Sequence, residues 1–211
     1  MQTPLIMQAI VAIDQALMTH ETEIAELDRA LGDGDHYINI KRGATAVLAM
    51  QGELADLAAD VALQKIGMKL MSTVGGASGV LIGGFFMAYA KMLKDNGSET
   101  LPKLAAGFAA GVESIRQRGK SDLGEKTMLD VLIPVSREFT IMAVNDKTSK
   151  EIAIALKLVA TAGMLATKDL IATKGRAAFL GERSKNHIDA GAKSSEVMIH
   201  AVCNLVLRDA A

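Results

Sequence analysis

LMSTVGGASGVLIGGFFMAYA, residues 70–90, carries no charged side chain. Gly75, Gly79 and Gly83 form two overlapping GxxxG spacings, the pattern by which membrane helices approach closely. The fold turns on whether this is a spanning helix or a core helix of a soluble bundle. Its first half, LMSTVGGASG, is small and polar rather than greasy. Only residues 80–90 are strongly apolar, and a span needs about 20 such residues. The stretch therefore reads as a helix buried in a bundle and entered through a glycine-rich loop.

The segments around it are helical too. Thr3-Pro4 reads as a cap followed by proline in the first turn, ahead of LIMQAIVAIDQAL with apolar residues three and four apart. Thr148 and Glu151 make a capping box. Ser194 or Ser195 is expected to cap a last helix that ends near Arg208. IKRGATAVLAMQ, LAADVALQKIGMKLM, LPKLAAGFAAGVESIRQ and MLDVLIPVSREFTIMAV complete the set, with Pro134 expected to kink or interrupt the last. No alternating strand pattern stands out. The expectation is an all-α antiparallel barrel or bundle of about eight helices, a single domain over residues 1–211.

Composition narrows the function. A net charge of −1 gives no field for nucleic acid or anionic membrane, and 3% aromatics without tryptophan give no base-stacking platform. Cys203, the one cysteine, lies in the apolar run VMIHAVCNLVL and reads as a buried structural thiol. A chain with no possible internal disulfide and no basic leader at MQTPLIMQAI is expected in the cytoplasm.

Three loops between the helices carry chemistry. LGDGDHYIN holds Asp33 and Asp35, with Asp28 one turn earlier and Gly32 and Gly34 allowing a tight fold. Hard cations such as Mg²⁺ take carboxylate oxygens, so the three aspartates read either as a metal site or as a solvated turn. No glutamate closes an EF-hand here, and zinc would lack thiolates. STVGGASG lacks the Gly-Lys-Ser/Thr ending of a Walker loop. A helix starting near Ala77 would still aim its amides at an anion, unless the glycines serve close packing alone. KGRAAFLGERSKNHIDAGA brings Lys174, Arg176, Arg183 and Lys185, a phosphate clamp or a solvated basic loop. In an antiparallel bundle alternate loops share an end. The three together suggest a Mg–nucleotide phosphate site.

LDRALGDGDHYINIKRG, GMKLMSTVGGASG, RGKSDLGEKTMLDVLIPV and KGRAAFLGERSKNHIDAGA, in this order, resemble the L subunits of dihydroxyacetone kinases. The resemblance implies an eight-helix barrel with a nucleotide at one end. Asp28, Asp33 and Asp35 would hold two Mg²⁺ ions. His36, Tyr37, Ile38 and Asn39 would contact the nucleotide or its phosphates, and Ala77 and Ser78 would bind phosphate. Gly119 and Met128 would line the adenine pocket. Arg176 would act near the phosphates as the catalytic residue, and Asp189, Ala190 and Gly191 would close the site. Tyr37 stands where the family usually has glycine, and Ala190 where it has proline, so Tyr37 is expected to narrow the pocket or alter a turn.

The resemblance also implies the reaction. Bound ADP would accept a phosphoryl group from a phosphohistidine on an M subunit of the phosphotransferase system. The resulting ATP would donate it to dihydroxyacetone on a K subunit, with a homodimer compatible. Two alternatives remain open: a subunit of an ATP-consuming kinase for dihydroxyacetone or another small keto sugar, and a nucleotide-sensing helical module.

Overall fold

The computed structural model describes residues 3–94 and 100–209. All regular structure among them is helical. In chain order the α-helices are α1 (Thr3–Thr19), α2 (Glu21–Leu31), α3 (His36–Leu48), α4 (Gln51–Leu54), α5 (Ala59–Thr73), α6 (Gly76–Lys94), α7 (Leu101–Gly119), α8 (Leu129–Val144), α9 (Ser149–Ala166) and α10 (Ala190–Asp209). Two 3₁₀ segments, Thr167–Asp169 and Arg176–Ser184, lie between α9 and α10.

Eight of these helices close a ring. α5 packs on α6, α6 on α7, α7 on α8, α8 on α9, α9 on α10, α10 on α1, α1 on α3, and α3 back on α5. The described count exceeds the expected eight for two local reasons. α2 continues α1 past a bend at His20, whose amide still bonds Ala16 O at 3.1 Å. α4 is one turn of helix inside the α3–α5 connection.

The glycines of residues 70–90 pack this ring. A Cβ on Gly83 would lie 2.2 Å from Met71 Cγ and 2.7 Å from Gly67 O, so α5 and α6 cross there backbone to backbone. On the other side of α6, Gly107 and Gly111 of α7 receive the rings of Tyr89 and Phe85, which a Cβ would meet at 2.3 and 2.4 Å. Phe85 also meets Phe86, Phe108 and Tyr89 edge to face, with centroids 5.3 to 6.0 Å apart. α6 is the one described helix long and apolar enough to cross a membrane, and in this fold it is a stave of the ring between α5 and α7.

Side-chain caps set the starts of α9 and α10, whereas α2, α3, α4, α5, α7 and α8 begin without one. The Thr148–Glu151 box forms in both directions, with Thr148 N donating to Glu151 Oε2 at 2.9 Å and Glu151 N to Thr148 Oγ1 at 3.2 Å. The Thr3 cap falls on side chains outside those described. Pro134 lies inside a continuous α8, so the interruption allowed for in the sequence does not occur. It sits early in the helix, where its missing N–H frees one carbonyl, that of Asp130, and this carbonyl abuts Gly163 of α9. Ser194 and Ser195 do not cap α10. The helix begins at Ala190, Asp189 accepts the Ala192 amide at 2.8 Å, and both serines donate back to Gly191 O from inside the helix. Cys203 is buried, and burial pushes its thiol up to about 11.

Candidate functional site

The connections α2–α3, α5–α6, α7–α8 and α9–α10 gather at one end of the ring. His36 Nε2 hydrogen-bonds Ser194 Oγ at 2.9 Å, joining the start of α3 to α10. Asn39 Oδ1 lies 3.2 Å from where a Gly75 Cβ would stand, joining α3 to the α5–α6 turn. Met128 N lies 3.6 Å from the corresponding point on Gly191, joining the α7–α8 loop to α10. Arg176 Nη1 reaches Asp33 Oδ2 at 2.7 Å from the α9–α10 loop.

Asp28, Asp33 and Asp35 converge as the sequence spacing implied, each with a carboxylate oxygen within 4.8 Å of the others'. Gly32 and Gly34 make this geometry. Any side chain at Gly32 would strike Asp28 Oδ1, and Gly34 takes a left-handed φ of +78°. Asp28 Oδ2 accepts the His36 amide at 3.0 Å, which orients that carboxylate at the start of α3. The donor set is oxygen only, half-buried to exposed and close-set, which fits a hard divalent cation such as Mg²⁺. Burial lowers the His36 imidazole below its ordinary value and outweighs the pull of Asp28 and Asp35, so near neutrality the ring is uncharged.

Beside the carboxylates, α6 starts at Gly76, which has a φ of +66°. Ala77 and Ser78 lie in its first turn, whose amides have no intrahelical partner. Gly119 ends α7 against Leu81, 3.5 Å from its would-be Cβ. Met128 joins Leu81, Phe85, Val112 and Ile115 in one apolar cluster, so the two expected adenine-wall residues share a neighbour in Leu81. Ile38 is exposed.

The structure turns Tyr37 away from the narrowing role expected of it. Its ring is buried in the cluster of Leu17, Ile24, Ile40 and Val197. Burial first, then the charge and hydrogen bond of Glu21, raise its phenol above the ordinary value. The ring fills core space between α1, α2, α3 and α10.

Of the cations in the α9–α10 loop, Arg176 pairs with a site carboxylate. Lys174 pairs with Glu125 at 3.4 Å and Lys185 with Glu182 at 3.5 Å, leaving Arg176 as the residue that reaches Asp33. At the loop's end Ala190 is buried and Gly191 lies against Met128. Burial pushes the Asp189 carboxyl up to about 6, against the lowering effect of the Ala192 amide and of Lys126. Sequence reading missed three supports of the site: Ser194 on His36, Arg42 donating to Asn39 Oδ1 at 3.1 Å, and Lys126 under the loop.

A closed ring of helices with an acidic, glycine-rich loop site at one end defines the class. Residues 30–204 match the DAK2 domain. The chain belongs to this family, in the branch of dihydroxyacetone kinase ADP-binding subunits. It is 44% identical over 183 residues to the ADP-binding subunit DhaL of PEP-dependent dihydroxyacetone kinase 1 from Listeria innocua, covering 85% of this chain and 84% of that one. It is 36% identical to the PEP-dependent DhaL of Escherichia coli, over 86% of each chain. It is also 32% identical to a D-erythrulose kinase of Mycolicibacterium smegmatis, of which it spans only 35%. The solved dihydroxyacetone kinase of C. freundii superposes with a TM-score of 0.74 at 22% identity, over 96% of this chain and 34% of that one. A second structure of that kinase, in complex with AMP-PNP and Mg²⁺, superposes at 0.71 and 23% identity over the same shares.

Proposed function

We propose that this chain is the nucleotide-binding subunit of a phosphoenolpyruvate-dependent kinase in the cytoplasm. On this reading bound ADP is a standing cofactor. It is charged by a phosphohistidine on the M subunit of the phosphotransferase system and discharged to dihydroxyacetone held by a K subunit. One observation carries the reading: three carboxylates within 4.8 Å of one another, at the end of the ring where the first turn of α6 and Arg176 also arrive.

Asp28, Asp33 and Asp35 hold two Mg²⁺ ions, which supply charge neutralisation for the phosphates. The amides of Ala77 and Ser78 and the Ser78 hydroxyl hold phosphate oxygens, with the α6 N-terminus favouring negative charge. His36 and Asn39 border the phosphates, while Gly119 and Met128 flank the base. Gly191, with Asp189 capping α10 behind it, closes the pocket. Arg176 supplies positive charge where it develops during transfer. No nucleophile on this chain is required, because phosphoryl transfer needs positioning and electrostatic stabilisation.

The test is native mass spectrometry of the purified chain in Mg²⁺, followed by assay of the reconstituted complex. The expected mass is protein plus ADP plus two Mg²⁺, with turnover driven by the phosphohistidine donor. Equal turnover on free ATP would instead favour an ATP-consuming keto-sugar kinase, the reading supported by the likeness to D-erythrulose kinase. A chain that binds neither ADP nor ATP would overturn the site.

A further inference from the structure

Among the described residues, Lys126 is the largest side chain of those almost wholly buried, with 1% of its surface exposed. Its backbone holds a left-handed φ of +60°, uncommon outside glycine and kept only where surroundings impose it. A buried ammonium is costly unless its protons find acceptors. Here Nζ donates to two main-chain carbonyls, Thr167 O and His187 O, each at 2.5 Å. Asp130, Asp169 and Asp189 provide compensating negative charge around it.

Those two carbonyls are the stems of one loop. Thr167 is where the chain leaves α9, and His187 lies two residues before Asp189, the cap of α10. Between the stems run the residues that carry Arg176, and only Ala172 and Ser184 among them are buried. Glu125 adds an outer hold, accepting from Thr173 N at 3.4 Å and Thr173 Oγ1 at 3.0 Å and pairing with Lys174. The clasp itself is anchored. Asp130 at the start of α8 accepts from Gly124 N at 2.6 Å and Thr127 N at 2.8 Å, fixing the turn that presents Lys126.

We infer that Lys126 is a positioning residue: its ammonium locks the two stems of the α9–α10 loop together and thereby sets where Arg176 stands over the carboxylates. The catalytic consequence rests on the role proposed above for Arg176, whereas the locking of the loop does not. Removal of the ammonium takes the Nζ donor from His187 O and from Thr167 O, which keeps the Leu170 amide at 3.3 Å, and leaves the stems joined only by the Asn186 N–Lys168 O, Asp189 N–Thr167 Oγ1 and Ala172 N–Ser184 Oγ hydrogen bonds together with the outer hold of Glu125. Nucleotide contacts from α3 and α6 stay in place.

The test compares Lys126→Met and Lys126→Gln with the unaltered chain, by amide hydrogen exchange and by kinetics in the full kinase complex. Lys126→Met is expected to speed exchange across residues 170–187 by about tenfold or more, with α5 and α9 unchanged. It is expected to lower kcat by about tenfold to 100-fold while the Kd for Mg–ADP moves less than about threefold. Lys126→Gln, which keeps an amide donor, should fall between. The Arg176→Ala/Lys126→Met double variant should be no slower than Arg176→Ala alone by more than about twofold, since both act through one group. Losses that multiply, or unchanged exchange in residues 170–187, would overturn the inference. Failure of both Lys126 variants to fold would also overturn it, because it would make Lys126 a support of the whole core. If Arg176→Ala keeps full activity, the role of Arg176 fails while the exchange result still decides the clasp.

Discussion

Arg176 Nη1 lies 2.7 Å from Asp33 Oδ2, an ion pair that joins the α9–α10 loop to the acidic cluster after α2. Arg176 is 68% exposed and Asp33 36%, so water screens the pair and its worth to stability is about 0–1 kcal/mol. Its importance is placement. It holds a permanent cation at the carboxylates proposed above to hold Mg²⁺.

Arg176→Ala should therefore separate stability from catalysis. The expected melting shift is within about 4 °C, the equivalent of one weak surface pair in a chain of this size. Phosphoryl transfer in the complex should fall by about 100-fold, with the nucleotide Kd within about threefold. Thermal melts and steady-state kinetics read both. Equal losses in affinity and rate would assign Arg176 to ground-state binding.

The aspartates have distinguishable partners, the His36 amide for Asp28 and the Arg176 guanidinium for Asp33. Asp28→Asn keeps an oxygen for the His36 amide, so α3 should still start correctly while one charge is lost. Asp28→Asn, Asp33→Asn and Asp35→Asn are each expected to weaken ADP binding in Mg²⁺ by about tenfold or more, about 1.4 kcal/mol. Titration calorimetry repeated in EDTA should show all four proteins equally weak. Equal affinities in Mg²⁺ for all four would remove the metal assignment.

Short-range pattern made much of this legible. The spacing of Asp28, Asp33 and Asp35 around two glycines brought three carboxylates together because that geometry is local. The glycines of residues 70–90 announced close helix contact, whereas the expected shortness of the apolar run did not hold, because α6 as formed is long and apolar enough to cross a membrane by length and composition. What escaped was long-range. His36 meets Ser194 across 158 residues, and Lys126 meets Thr167 and His187 across 41 and 61, separations no spacing rule links. Competing local signals also misled. IDAGAKSS offers both an aspartate and two serines as caps, and the burial of Lys193, Ser194, Ser195 and Glu196 inside α10 decides for Asp189. The side chosen by Tyr37 depended on core space that only the assembled ring defines.

The α5–α6 crossing makes a sharp packing prediction. Gly83→Ala puts a methyl 2.2 Å from Met71 Cγ and 2.7 Å from Gly67 O, the second of which is backbone and cannot swing aside. Overpacking should outweigh the helix propensity gained, for a net loss of about 1–3 kcal/mol and a melting temperature lower by roughly 2–12 °C. Gly52→Ala is the control. Nothing lies within 4 Å of that position, so the same change there should be neutral or stabilising by up to about 1 kcal/mol.

Asp189 supplies the pH test. Burial raises its carboxyl from an ordinary 3.8 to about 6, so the folded chain binds this proton more tightly than the unfolded one. Stability from this group is then complete below about pH 4 and is lost as pH rises through about 6, levelling off above it. A shift of this size corresponds to about 3 kcal/mol at most. Asp189→Asn keeps an oxygen acceptor for the Ala192 amide and so preserves the α10 cap while removing the titration. Urea unfolding of both proteins at pH 4, 5, 6 and 7 reads the difference, which includes the effect of removing the Asp189 charge beside Lys126 and Asp130. The asparagine variant should gain on the parent steadily from pH 4 to 6 and hold that gain at 7. A constant difference across the series would show that Asp189 is already ionised at pH 4, with Lys126 and the Ala192 amide outweighing its burial.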